Sequence, residues 1–203
     1  MMKHDDRHLR LCVVTDDLRD GVSGLTDRVC AAARGGATLV LLRLKHADAS
    51  TLVEAGRALV AALTIPVLVS ERLDVALACG AAGVHLSTGL AGSMPVIAVR
   101  SQCTAGMLVA ASVSVDDDVR VVEAADFVTI GPLLGAGASS LGVEGFRRLA
   151  AACGRPAIAI GGIDLVQAVA VRRAGAAGIA VIGQVMAAAD PEAAASLLLA
   201  STR

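Results

Sequence analysis

Tryptophan and tyrosine are absent from the 203 residues and phenylalanine occurs only twice. The chain therefore has almost no aromatic surface on which nucleobases could stack. It has no basic run and a formal net charge of −1, which argues against a nucleic-acid partner. The five cysteines, Cys12, Cys30, Cys79, Cys103 and Cys153, are scattered and form no Cys-x-x-Cys pair. They read as reduced, mostly buried thiols, not as a disulfide frame or a metal knuckle. A charged-then-apolar leader with a cleavage site is also missing, which points to a cytoplasmic protein. The longest stretch without Asp, Glu, Lys or Arg runs from Val75 to Val99. Gly80, Gly83, His85, Gly89, Gly92 and Pro95 break it into pieces too short to span a membrane, so no membrane partner is expected.

What the chain does have is a succession of short apolar runs, each followed by a helical pattern. The clearest lies between Ala157 and Gly183, AIAIGGIDLVQAVAVRRAGAAGIAVIG. Two evenly hydrophobic runs flank an amphipathic segment that opens at Asp164 and closes at Arg172, Arg173 and Gly175. Strands this uniformly apolar have no wet face and read as buried parallel strands, so the segment is a βαβ unit. Similar runs begin at Leu9, Thr38, Val67, Gly83, Met107 and Phe127, giving eight β–α pairs. Helices are expected to about Arg34, over about Ala49 to Leu63, up to Cys79, from Asp116–Asp118, from Leu141 to Cys153, and from Pro191 to Ser201. A weak helix is expected before the fifth strand. No Gly-x-Gly-x-x-Gly follows the first strand and no linker divides the chain, so a single (β/α)8 TIM barrel over residues 1–203 is expected in place of an open doubly wound sheet.

In such a barrel the chemistry sits where strands end. Gly161 and Gly162 follow the seventh strand and Gly183 follows the eighth. Bare main-chain amides there can hold a phosphate without a charged side chain; the same glycines can equally serve tight turns and close packing. Arg43 and Lys45 are two apart and share the parity of Leu39 and Leu41. On an inward face they would await an anion, because two cations in an apolar pocket are costly without one. Glu71 is a weak lone candidate for a metal such as Mg2+, and a salt bridge to Arg72 or Lys45 is its expected fate. His85 on the fourth strand reads as a core histidine before a catalyst. Ser112 and Ser114 close the fifth strand, where they can donate to an oxygen anion or cap a turn.

Taken in order, these pieces resemble the thiamine phosphate synthase and TenI superfamily over nearly the whole chain. The matching residues are VVTD at Val13–Asp16, LLRLK at Leu41–Lys45 and VLVSERLDVALACGAAGVHLS at Val67–Ser87. FVTIGP at Phe127–Pro132, LGVEGFRRLA at Leu141–Ala150, AIAIGGI and GIAVIG complete the series. The resemblance implies an enzyme that joins hydroxymethylpyrimidine pyrophosphate to a thiazole phosphate with Mg2+ assistance. It implies that Arg43, Lys45 and Ser112 serve the reaction, that Gly161, Gly162 and Gly183 bind phosphate, and that Glu71 faces the metal. Small phosphorylated substrates are the implied partners, and a homodimer is left open.

The chain also departs from the family's pattern. Leu41 stands for a glutamine, Ser70-Glu71-Arg72 for Asn-Asp-Arg, and Leu90 falls near a second metal-binding Asp. Ser114 replaces the His of Ser-x-His, Leu133–Ser140 lacks the Lys of a Thr-x-Thr-Lys loop, and Gly183 replaces a serine. An alternative reading is therefore a non-catalytic phosphate binder or regulatory barrel. A sugar-phosphate isomerase would need an acid/base pair that the strand ends lack.

Overall fold

The computed structural model describes residues 6–87, 95–114, 119–135 and 140–202. Eight parallel strands close a barrel in chain order: β1 (Leu11–Val14), β2 (Leu39–Leu42), β3 (Val67–Ser70), β4 (Gly83–Leu86), β5 (Leu108–Val113), β6 (Phe127–Ile130), β7 (Ala157–Ile160) and β8 (Gly178–Val181). Pairing of β8 with β1, Leu11 to Ile179 and Val13 to Val181, completes the ring. The expected (β/α)8 barrel is the observed fold.

Side-chain parity sorts each strand between two cores. Cys12, Val14, Leu39, Leu41, Leu68, Ala110, Phe127, Ile158 and Ala180 fill the barrel interior. The other parity, including Leu11, Val13, Val40, Leu42, Val67 and Val69, packs against the surrounding helices. Both faces are dry, which is why the runs showed no polar alternation. Burial pushes the Cys12 thiol up to about 12, so it stays a neutral core group.

Among the described residues the helices are α1 (Gly21–Arg34), α2 (Ala49–Ala62), α3 (Leu73–Cys79), α4 (Val96–Gln102), α5 (Gly142–Cys153), α6 (Leu165–Arg173), α7 (Gly183–Met186) and α8 (Pro191–Ser201). Side-chain caps start three of them. Asp48 accepts from the Thr51 amide, Asp164 from the Val166 and Gln167 amides, and Asp190 from the Ala193 amide. The helix expected from Asp116–Asp118 begins on residues outside those described; the next described element is a 3-10 turn, Val119–Val122. The four-residue α7 had no expectation behind it. Among the described residues, no helix is long and apolar enough to cross a membrane.

Candidate active site at the carboxyl mouth of the barrel

Strand β7 ends in a left-handed pair, with φ of 91° at Gly161 and 67° at Gly162. An added Cβ would lie 2.9 Å from Pro132 Cα at Gly161 and 2.7 Å from the Leu134 carbonyl oxygen at Gly162. Glycine is thus required here by conformation and by close approach. The pair also has its peptide planes fixed from one side. The Leu133 amide donates to the Ile160 carbonyl at 2.8 Å, and the Leu134 amide to the Gly161 carbonyl at 3.0 Å. In a trans peptide the N–H points opposite its C=O. With both carbonyls turned toward the β6 loop, the Gly161 and Gly162 N–H groups turn away from it. Among the described residues neither N–H donates a turn, loop or ladder bond. On that side lies a cavity of about 320 Å3 lined by Ile160–Ile163 and Ala180–Gln184. Gly183 lines it too, and nothing stands within 4 Å of where its Cβ would be.

Across the mouth a second cavity, of about 270 Å3, is built from side chains. Arg43, Lys45, Ser70, Glu71 and Arg72 line it at the ends of β2 and β3. The apolar run TLVLLRL, Thr38 to Leu44, predicts a second strand to Leu44; strand β2 stops two residues earlier, at Leu42, but Thr15 extends its order by one rung. The Thr15 hydroxyl accepts from the Arg43 amide at 2.8 Å and donates to the Arg43 carbonyl at 3.1 Å. Arg43 is half-buried and close enough to influence the charge of His85, whereas Lys45 is exposed. Glu71 has a left-handed φ of 65° and is exposed at the rim. The expected bridge from Glu71 to Arg72 or Lys45 is not formed. Arg72 instead grips Asp74 with two bonds of 2.8 and 2.6 Å. The reason is local: Asp74 lies in the first turn of α3, facing back toward Arg72, which directly precedes that helix. Beside that guanidinium the Asp74 carboxyl falls to about 2.

Between the two cavities the interior wall carries a polar trio. Ser112 shares the inward parity of Ala110, and Thr129 that of Phe127, while Val84 and Leu86 on either side of His85 face the helices. His85 Nε2 lies 2.9 Å from Thr129 Oγ1, and Thr129 Oγ1 lies 3.0 Å from Ser112 Oγ. Burial first, and the Arg43 charge second, lower His85 to about 4, so its ring is neutral at pH 7. His85 is thus a core residue, as expected, but one bonded to the site. Thr15 and Thr129 were missed as members; both sit in quoted motifs, VVTD and FVTIGP, and parity would have placed Thr129 inward.

Among the described residues no three His, Cys, Asp or Glu side chains gather to hold a metal. Leu90 and residues 136–139 of the Leu133–Ser140 loop lie outside the described residues. The ends of that loop are pinned, with Ser140 Oγ donating to the Leu133 carbonyl at 2.8 Å and the Leu141 amide to the Pro132 carbonyl at 3.0 Å.

A closed parallel barrel with an amide-lined cavity after β7 and β8 and a cationic one after β2 belongs to the barrels that do their work at the carboxyl mouth. Comparison with known proteins narrows this class. The sequence model described as thiamine monophosphate synthase matches residues 11–185, and the chain belongs to that family. It is 38% identical over 196 residues to a thiamine-phosphate synthase of Roseiflexus sp. (strain RS-1), covering 92% of this chain and 82% of that one. It is 37% identical to one from Albidiferax ferrireducens, covering 94% and 91%. Among solved structures it is similar to thiamine phosphate pyrophosphorylase from Pyrococcus furiosus, with a TM-score of 0.85, 31% identity, and 97% and 96% of the two chains covered.

Proposed function

We propose that this barrel is a thiamine phosphate synthase of the TenI superfamily, joining hydroxymethylpyrimidine pyrophosphate to a thiazole phosphate. The observation that carries the reading is the pairing of two differently built anion cavities at one mouth, with the inward Ser112 between them. The Gly161, Gly162 and Gly183 amides hold the thiazole phosphate, and Arg43 and Lys45 hold the pyrophosphate. When the carbon–oxygen bond to pyrophosphate breaks, its electron pair leaves with the pyrophosphate. The cations stabilise that growing charge, and the thiazole nitrogen then bonds to the pyrimidine's methylene carbon. Ser112 donates a hydrogen bond toward the pyrimidine side.

Glu71 is the carboxylate at the cationic cavity that would face a Mg2+ arriving with the pyrophosphate. One carboxylate suits an ion that keeps water and phosphate oxygens as its other ligands. When bound, Mg2+ supplies charge neutralisation on the leaving group. The setting proposed is the cytoplasm, with no nucleic-acid partner; a homodimer is compatible with it.

A second reading, a barrel that binds the phosphate without turnover, draws on Leu41. This residue is buried in the apolar interior where the family's pattern has an amide. One assay separates the two. The protein is incubated with both substrates and Mg2+, and thiazole phosphate binding is followed in parallel by calorimetry. Thiamine phosphate formed at a rate proportional to protein supports the synthase. Binding of thiazole phosphate with no product supports the binder, and neither binding nor product defeats both.

A further inference from the structure

The polar trio holds more information than the proposed reaction uses. His85 Nδ1 is buried and, among the described residues, has no hydrogen-bond partner. A neutral imidazole carries one N–H. Placed on Nδ1, that hydrogen would be a buried donor with nothing to receive it. A bare Nδ1 leaves only an unused lone pair, the lesser cost. The hydrogen therefore belongs on Nε2, and this fixes the sense of each bond along the trio. Nε2–H donates to Thr129 Oγ1 at 2.9 Å, its shorter contact, the Ser112 oxygen being 3.4 Å away. Thr129 is buried and, among the described residues, its hydroxyl meets only His85 Nε2 and Ser112 Oγ, so its own hydrogen goes to Ser112 Oγ at 3.0 Å. Nε2 carries a hydrogen and cannot accept, and Thr129 is the donor across the Ser112 contact, so the Ser112 hydrogen has no acceptor left within the trio.

We propose that His85 and Thr129 are positioning residues that lock Ser112 as a hydrogen-bond donor into the mouth of the barrel. The group that meets Ser112 is then an acceptor, a ring nitrogen or an oxygen, and not an N–H. This deepens the proposed synthase reading and rests on it for the identity of the group Ser112 meets. The direction of the relay itself does not. The threonine hydroxyl is the connecting part, because His85 reaches Ser112 well only through it.

The test has two independent arms. In the first, nitrogen-15 spectra of the full chain read which imidazole nitrogen of His85 is protonated, with the His85→Asn variant giving the assignment. Nε2–H is expected, and an Nδ1–H tautomer would overturn the relay. In the second, Thr129→Val and Thr129→Ser are compared with Ser112→Ala in the synthase assay. Thr129→Val should lower kcat about tenfold, the worth of one aligned hydrogen bond, with KM for both substrates within about twofold. Thr129→Ser, which keeps the hydroxyl, should rescue most of that loss. Unchanged kcat in Thr129→Val alongside a defective Ser112→Ala would overturn the proposal, as would failure of the serine to rescue. If the wild-type chain makes no thiamine phosphate, the synthase reading fails while the spectroscopic arm still decides the relay. The same arm decides it if the valine variant does not fold.

Discussion

In the proposed function the two cavities at the mouth address the same chemical group by opposite means. On the β7/β8 side the donors are main-chain amides, fixed by hydrogen bonds on the far side of the same peptide units. On the β2/β3 side they are the ends of long side chains, half-buried at Arg43 and exposed at Lys45. Amide donors carry only partial charge but need little ordering on binding. Cationic side chains carry full charge but lose rotamer freedom and feel salt. A phosphate that stays bound throughout suits the first construction. A leaving group whose charge grows during the reaction suits the second.

The division of labour is tested hardest at Arg43. Arg43→Ala should lower turnover on the order of a hundredfold or more, as loss of one charge-stabilising group does. Thiazole phosphate binding by calorimetry should stay within about twofold, since one aligned hydrogen bond is worth several-fold and none is lost at the amide side. A parallel loss of both would mean that the two sides are one site.

Stability against pH reads the wall between the two cavities. His85 takes a proton below about 6.5 when unfolded but only below about 4 when folded. In that window the unfolded chain binds more protons, so stability falls as pH falls from about 6.5 to about 4, by about 3 kcal/mol at most. Denaturant titrations across this range should show the slope, and His85→Asn should abolish it whatever its absolute stability. The window is separate from that of Asp74, whose contribution is lost only as pH falls toward 2.

On the amide side, two glycines should respond differently to the same change. Gly162→Ala must hold a left-handed φ of 67° with its Cβ 2.7 Å from the Leu134 carbonyl oxygen. It should lose about 1–2 kcal/mol of stability, seen by denaturant titration, and about tenfold in thiazole phosphate affinity. Gly183→Ala meets no atom within 4 Å. Its stability should stay within about 0.5 kcal/mol of wild type. If the two variants behave alike, the aim of the Gly162 amide is not what holds the phosphate.

Much of the barrel was legible because buried parallel strands announce themselves as unbroken apolar runs, and glycine and aspartate mark the helix ends. The inward parity of Leu39 and Leu41 likewise came from counting by two. Most of what escaped depends on neighbours far away in sequence; the rest is local geometry too short or too fine for spacing to show. The early end of β2 at Leu42 and its rescue by Thr15 involve residues 28 apart. The His85–Thr129 bond spans 44 residues and joins β4 to β6, across β5. The preference of Arg72 for Asp74 over Glu71 turns on the local geometry of α3, which spacing alone does not reveal. Four residues, as in α7, are too few for any periodicity to register.

The bonds from Leu133 and Leu134 that aim the Gly161 and Gly162 amides are main-chain to main-chain. Their aim is therefore indifferent to which side chains Leu133 and Leu134 carry, so substitution there leaves the proposed phosphate end its shape. Proline is the exception, since it alone brings no amide hydrogen. A proline at either leucine would let one peptide plane swing free, detuning the anion end without altering a residue that lines it.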